Sequence, residues 1–256
     1  MCRMLGYLGD PISLERLLYQ PDHSLVHQSY QPKEMTAGLL NADGFGVGWY
    51  GDEEPFSYRS VMPIWNDANL PDLSRYVASK AIVASIRSAT PGIPVSLSNC
   101  QPFRYQQTLM VHNGAVSEFQ HSLLTPLRDR LSPKFAQRIQ GSTDSEYLFA
   151  LILQQWADGV SLDQALAQAI SILLALGQEH GVEISANVLL HQGDRLVGCR
   201  AGNKSPQPTL YWLPEGGDLP GVAIASEPLW SGKWQPIPEH TLITVESDRL
   251  VQLQSL

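Results

Sequence analysis

Cysteine is scarce in this chain of 256 residues: Cys2, Cys100 and Cys199 are odd in number and include no Cys-x-x-Cys pair. That argues against a disulfide framework or a cysteine-built zinc site. It fits a reducing compartment, so a cytoplasmic location is the expectation. Charge is also sparse, at 16% of residues, and its balance is acidic at −8. No run of Lys or Arg exceeds two residues, so a basic face for nucleic-acid phosphates is not expected. The most apolar stretch, Ala169–Leu176, falls far short of the ~20 residues that cross a bilayer. The amino terminus has no basic segment leading into an apolar run, so neither membrane partner nor secretory signal is expected. The seven histidines are scattered, with no His-Glu-x-x-His, and a Gly-x-Ser-x-Gly elbow is absent. No metal and no cofactor is therefore expected.

What is present is punctuated like a layered α+β protein. Arg3 to Leu8 reads as a strand. Ser13 then stands as the N-cap of a short helix over Leu14 to Gln20, and Pro21 to Thr36 reads as an ordered loop, a plausible lid. Phe45, Val47 and Trp49 alternate with Gly46, Gly48 and Tyr50 at the strand period of two. Such a Gly face leaves room for another backbone or a ligand. Strands are predicted at Ala81–Arg87 and Thr108–Asn113, and helices from Ser117 to about Leu124 and over Ser145–Trp156. Ser161 and Gln164 form a capping-box pattern. Leu162, Ala165, Leu166, Ala169, Ile170 and Leu173 then fall on one helical face. After Gly181 strands return at Ile184–His191, Arg195–Arg200, Thr209–Leu213, Val222–Ser226, Leu242–Val245 and Leu250–Leu253. Turn residues such as Glu215-Gly216-Gly217-Asp218 separate them. With no linker or repeat in evidence, a single domain over 1–256 is expected.

Five features bear on chemistry. Cys2 follows only the initiator Met1, and excision of Met1 would leave a thiol and a free α-amine on one carbon. The amine, with an ordinary pKa of roughly 7.7–8.0, is a base suited to activating that thiol. Asn41 to Tyr50 is rich in glycine, but its Gly-x-Gly-x-Gly spacing with no helix behind it does not make a phosphate loop. Arg87 ends a strand with Ser88 and Thr90 beyond it, and Arg suits a carboxylate gripped by two parallel hydrogen bonds. His112-Asn113-Gly114 closes an apolar strand. Asn-Gly is a hairpin signal, or else an oxyanion hole built from the Gly114 backbone N–H and the Asn113 amide. Ser142 to Glu146 precedes a helix, where Asp144 either caps the helix or meets a substrate ammonium.

In this order, Cys2, Arg87 to Thr90, His112 to Gly114 and Ser142 to Glu146 resemble the class II glutamine amidotransferases, members of the N-terminal nucleophile hydrolases. Ala225 to Leu229 also looks like a family segment. The resemblance implies a four-layer αββα sandwich of two antiparallel sheets. It implies Cys2 as nucleophile, with Asn113 and Gly114 as oxyanion hole. Arg87, Thr90, His112 and Asp144 would bind a glutamine-like substrate, Arg87 at its α-carboxylate and Asp144 at its α-ammonium. Ser88 stands where many relatives carry an aromatic, which alters the pocket wall. Met1-Cys2-Arg3, Leu5 to Gly9, His23 to Leu25, Gln28-Ser29 and Asn41 to Tyr50 are similar to the branch that hydrolyses γ-glutamyl-hercynylcysteine S-oxide in ergothioneine biosynthesis, although Met4 replaces an expected His. Trp49, Tyr50 and Trp65 are candidates to meet that substrate's trimethylammonium. Three functions follow from the resemblance: a γ-glutamyl conjugate hydrolase, a glutaminase subunit feeding ammonia to a separate synthase, or a non-catalytic domain of the same fold. The expected partner is a small γ-glutamyl molecule, with a homodimer or a synthase partner possible.

Overall fold

The computed structural model describes residues 1–35, 38–52, 54–216 and 219–256. Thirteen strands among the described residues fall into two sheets. The first sheet contains β1 (Arg3–Ser13), β2 (Phe45–Tyr50), β3 (Pro55–Ser60), β4 (Ala78–Ile86), β9 (Tyr211–Leu213), β10 (Gly221–Ala225) and β11 (Gln235–Pro236), in the order β11-β9-β10-β1-β4-β2-β3. The second contains β5 (Phe103–Tyr105), β6 (Thr108–Val116), β7 (Ile184–His191), β8 (Leu196–Gly202), β12 (Thr241–Val245) and β13 (Val251–Ser255), in the order β13-β12-β8-β7-β6-β5. All pairings are antiparallel.

Alternation along the central strands divides the core into three apolar layers. On β1, Met4 and Leu8 point between the sheets and pack with Val83, Val111, Leu189 and Ile243. Leu5 and Tyr7 point outward, under helices α1 (Glu15–Leu18), α2 (Leu25–Tyr30) and α3 (Leu70–Tyr76). On β6, Met110 and Val116 face the opposite helical layer. That layer is built from α4 (Leu124–Asp129), α5 (Pro133–Ala136), α6 (Asp144–Ala157) and α7 (Leu162–His180). The result is the expected αββα sandwich.

α7 begins at the predicted capping box of Ser161 and Gln164 and ends at Gly181, whose φ of 65° is the left-handed cap that glycine favours. The glycine face of β2 leaves room for another backbone. A Cβ on Gly46 would stand 2.0 Å from the Gln101 carbonyl oxygen, so β2 and the segment leading into β5 touch backbone to backbone. Gly46→Ala is expected to lower the unfolding free energy by about 1–3 kcal/mol. Urea denaturation reads this directly, and an unchanged midpoint would show that the Gln101 segment yields freely.

Several local readings are corrected. Ser13 does not cap a helix. After an irregularity between Leu8 and Ile12, β1 resumes pairing with β4, Ser13 opposite Ala78, and the helix starts only at Glu15. Pro21 to Met35 is not a plain loop, because Ser24 caps α2 by accepting the His27 N–H; Thr36 lies outside the described residues, as do Gly217 and Asp218 of the predicted turn. Asn113-Gly114 makes no hairpin. β6 runs through it, Asn113 opposite Asn187 and Gly114 opposite Ala186, because β7 supplies a long partner. Ser117 opens turns rather than a helix, with Glu118 at a φ of 49°.

Candidate active site

Strand register brings the distant motifs together. β1 pairs with β4 so that Arg3 faces Ile86 at the end of the ladder, and Cys2 and Arg87 are the next residues beyond it. The Cys2 thiol lies 3.9 Å from the Ser88 carbonyl oxygen. β4 also pairs with β2, and the loop before β2 is stapled to its end. Asp43 donates its backbone N–H to the Arg87 carbonyl at 3.0 Å and accepts the Ala89 N–H on its carboxylate at 2.8 Å. Beside these chain ends opens a cavity of about 740 Å³, within the usual range for small-molecule sites. Its lining includes Cys2, Arg87, Thr90, His112, Gly114 and Asp144.

Arg87 is 7% exposed and has no carboxylate ion-pair partner among the described residues. Its guanidinium is steadied by two long contacts of 3.4 Å, to the carbonyls of Asp43 and Pro94. A buried cation without a counter-ion is costly unless an anion arrives to pair with it. Asp144, at the start of α6, has the complementary arrangement. The helix is capped by Thr143, which accepts the Glu146 N–H at 3.3 Å. The Asp144 carboxylate is held by the N–H groups of Val116 and Ser145, each at 2.7 Å, with no cationic side chain paired to it among the described residues. One cavity therefore carries an unpaired cation and an unpaired anion, the pattern that receives an α-amino acid.

His112 lies on β6 between these groups. Gln101 brackets its backbone, accepting its N–H and donating to its carbonyl at 3.1 Å, and its Nδ1 lies 2.8 Å from the Ser145 hydroxyl. Burial pushes its pKa below the usual histidine value, against the opposing pull of Asp144. Its ring is thus fixed in the wall, with burial disfavouring its charged form. Thr90 sits at the exposed edge of the cavity.

Gly114 lines the cavity and has no space for a side chain, since a Cβ would stand 2.0 Å from the Ser185 carbonyl oxygen. Asn113 points the other way, between the sheets. It is wholly buried, and its Nδ2 lies 3.3 Å from the Ser226 hydroxyl, which also accepts the Met4 N–H at 3.0 Å. Asn113 Oδ1 has no partner among the described residues, so one hydrogen bond holds this amide away from the cavity. The aromatic candidates Trp49, Tyr50 and Trp65 do not line the cavity either. Trp49 stacks on Phe56, the Tyr50 hydroxyl bonds the Gln107 carbonyl at 2.8 Å, and Trp65 packs edge-on to Tyr30. Phe45, opposite Ile86, is the end of β2 nearest Arg87, so Trp49 and Tyr50 lie at the far end, and Trp65 is on the surface. Phe119 is the aromatic that does reach the cavity.

The other cysteines are unsuited to chemistry. Cys199 is wholly buried, and desolvation pushes its thiol up to about 12; burial likewise raises that of Cys100.

Two supports of the site had no role assigned to them from the sequence. Arg3 is fully buried and pairs with Glu227 at 2.9 Å. The Glu227 carboxylate also meets His23 at 2.7 Å and accepts the backbone N–H groups of Lys33 and Glu34. Burial alone would raise its pKa, but these hydrogen bonds and Arg3 hold it below the usual carboxylate range. Glu227 thereby ties the segment after α2 to the strand that carries Cys2, which argues against a freely swinging lid. Arg3, His23 and Glu227 all stand in segments that resemble the family, but the resemblance gave them no role. The second support is Asn41, whose Nδ2 donates to the Met1 carbonyl at 2.6 Å.

Known proteins share the sequence pattern and the fold of this chain. Residues 17–205 match the family model of class II glutamine amidotransferases. A γ-glutamyl-hercynylcysteine sulfoxide hydrolase of Mycolicibacterium smegmatis is 31% identical over 98% of both chains. A probable glutamine amidotransferase of Saccharomyces cerevisiae is 29% identical, covering 98% of this chain and 83% of its own. Among solved structures, a glutamine aminotransferase class-II domain protein from Silicibacter pomeroyi superposes with a TM-score of 0.73 at 26% identity, over 99% of both chains. The glutamine phosphoribosylpyrophosphate amidotransferase of B. subtilis, at 17% identity and a TM-score of 0.70 over 99% of this chain and 49% of its own, shares the fold. No helix among the described residues is long and apolar enough to cross a membrane.

Proposed function

This chain belongs to the class II glutamine amidotransferases, and from that premise we propose that it is an N-terminal cysteine hydrolase of a γ-glutamyl amide. The substrate in this reading is γ-glutamyl-hercynylcysteine S-oxide, and the products are glutamate and hercynylcysteine S-oxide. The observation that carries it is the pairing of vacant charges around Cys2. Arg87, buried with no counter-ion among the described residues, takes the α-carboxylate of the γ-glutamyl group in a two-bonded grip. Asp144, held by two backbone N–H groups, takes the α-ammonium. A γ-glutamyl side chain fixed at that end presents its amide carbonyl to Cys2.

After removal of Met1, the α-amine of Cys2 accepts the thiol proton and the sulfur attacks the γ-carbonyl carbon. Negative charge gathers on the carbonyl oxygen, where the Gly114 backbone N–H is the donor from the cavity wall. Asn113 contributes once its amide leaves Ser226 and turns toward Cys2. Collapse of the intermediate breaks the C–N bond, and the ammonium of Cys2 returns its proton to the departing amine. Water then attacks the γ-glutamyl thioester, giving a proton to the α-amine. The C–S bond breaks, the thiolate is reprotonated, and glutamate leaves.

The cavity volume favours a conjugate over free glutamine, since about 740 Å³ leaves ample space beyond a γ-glutamyl group. The name of the M. smegmatis relative supports the particular conjugate. The second reading, a glutaminase supplying ammonia to a synthase, is favoured by the name of the S. cerevisiae relative. Glutamate release from γ-glutamyl-hercynylcysteine S-oxide and from glutamine distinguishes the two. The conjugate is expected to have the higher kcat/KM, and a preference for glutamine above about a hundredfold, roughly 2.8 kcal/mol, would install the second reading.

A further inference from the structure

Asn41 is wholly buried, and its place is set by a backbone N–H bond of 2.7 Å to the Ser29 carbonyl. Its Nδ2 donates to the carbonyl oxygen of Met1 at 2.6 Å, while its Oδ1 has no partner among the described residues. In a peptide unit that carbonyl oxygen lies only about 2.2 Å from the nitrogen of the next residue, here Cys2. The Asn41 amide is therefore aimed at the bond that must be cut to free the Cys2 amine. Once Met1 is gone, Nδ2 has lost its acceptor and Oδ1 still lacks a donor. At the same place a new α-amine has appeared, carrying N–H donors and a lone pair. A buried amide oxygen without a donor is unfavourable, and an N–H of the amine supplies the donor that Oδ1 lacks.

We propose that Asn41 orients the α-amine of Cys2 in the processed enzyme, its Oδ1 accepting one amine N–H so that the lone pair is directed toward the thiol. The proposal rests on the reading of Cys2 as a nucleophile freed of Met1. Asn41 is a positioning residue, acting on the reaction through the Cys2 base. The loop that carries it suits that work. Two residues on, Asp43 fastens the same loop to Arg87 and Ala89. One short segment thus sets both the base and the carboxylate-binding strand end.

The test uses full-length enzyme whose loss of Met1 is verified by intact mass, with Asn41→Leu and Asn41→Asp compared against wild type. Leu removes donor and acceptor at similar size. It is expected to lower kcat about 10- to 100-fold and to leave KM within about threefold. Asp restores an acceptor and adds a negative charge beside the amine, which stabilises its protonated form. The ascending limb of kcat against pH is then expected to move to higher pH, with activity recovering above it. Wild-type kcat and pH limb in both variants would overturn the proposal, as would a loss confined to KM. A structure of the processed wild type decides the matter even where a variant fails to fold: Asn41 Oδ1 within about 3.2 Å of the Cys2 nitrogen supports it, and a separation beyond about 4 Å overturns it. Active enzyme that retains Met1 overturns the proposal together with the reading beneath it. Processed enzyme indifferent to Asn41 overturns the proposal alone.

Discussion

Replacing Cys2 by Ala is expected to abolish glutamate release, with kcat falling by about 10⁴-fold or more. The loss should be total for a physical reason. Covalent catalysis needs a thiolate at the reacting carbon, and Cys100 and Cys199 cannot provide one from their buried positions. Arg87 and Asp144 are untouched by the change, so the variant should still bind the γ-glutamyl substrate, which calorimetry can measure. An iodoacetamide-treated wild type should carry a single adduct, at Cys2, and lose activity in proportion to it. A Cys2→Ala variant retaining full turnover would sink the mechanism, because no other described thiol reaches the cavity.

Arg87→Met should separate stability from function. In the proposed reaction the substitution removes a charge-assisted grip on the substrate carboxylate, and truncating one member of a buried charge pair costs about 2–5 kcal/mol. At 1.4 kcal/mol per decade this is a fall of roughly 30- to 4,000-fold in kcat/KM. In the free enzyme, however, the guanidinium is buried with no counter-ion among the described residues. Removing it should leave the melting temperature unchanged or raise it, since an unpaired buried charge opposes folding. Arg87→Lys keeps the charge but not the planar fork, so partial recovery is expected. A marked fall in melting temperature for Arg87→Met, with kcat/KM intact, would identify Arg87 as a structural residue instead. Steady-state kinetics and thermal denaturation on the same preparations give the answer.

Legibility in the sequence followed the range of the forces involved. The capping box of Ser161 and Gln164, the apolar face from Leu162 to Leu173 and the alternation of β2 are local patterns, and each forms as read. Asn113-Gly114 misleads as a hairpin because the turn signal is local, whereas eight residue pairs with β7 hold the strand straight. Ser13 misleads for the same reason: its capping preference is outweighed by pairing with Ala78. Arg3, His23 and Glu227 lie in segments that resemble the family, but nothing in the chain joins them. Each is an ordinary polar residue in the chain, and only the pairing of β10 beside β1 makes them one buried cluster.

By itself the sequence contained, in order, the groups on which the proposed reaction rests: Cys2, then Arg87, Asn113-Gly114 and Asp144. These are properties of residue type and spacing, which need no folding to exist. Tertiary structure alone decided which of them meet. Register on β4 brings the residues beyond Arg3 and Ile86 together, the glycine surface of β2 lets the sheets close, and Arg87 is buried with no counter-ion among the described residues. It also turned Asn113 toward Ser226 and Asn41 toward Met1. Charge compensation and hydrogen-bond partners are settled between residues far apart in the chain, so no window of sequence can contain them.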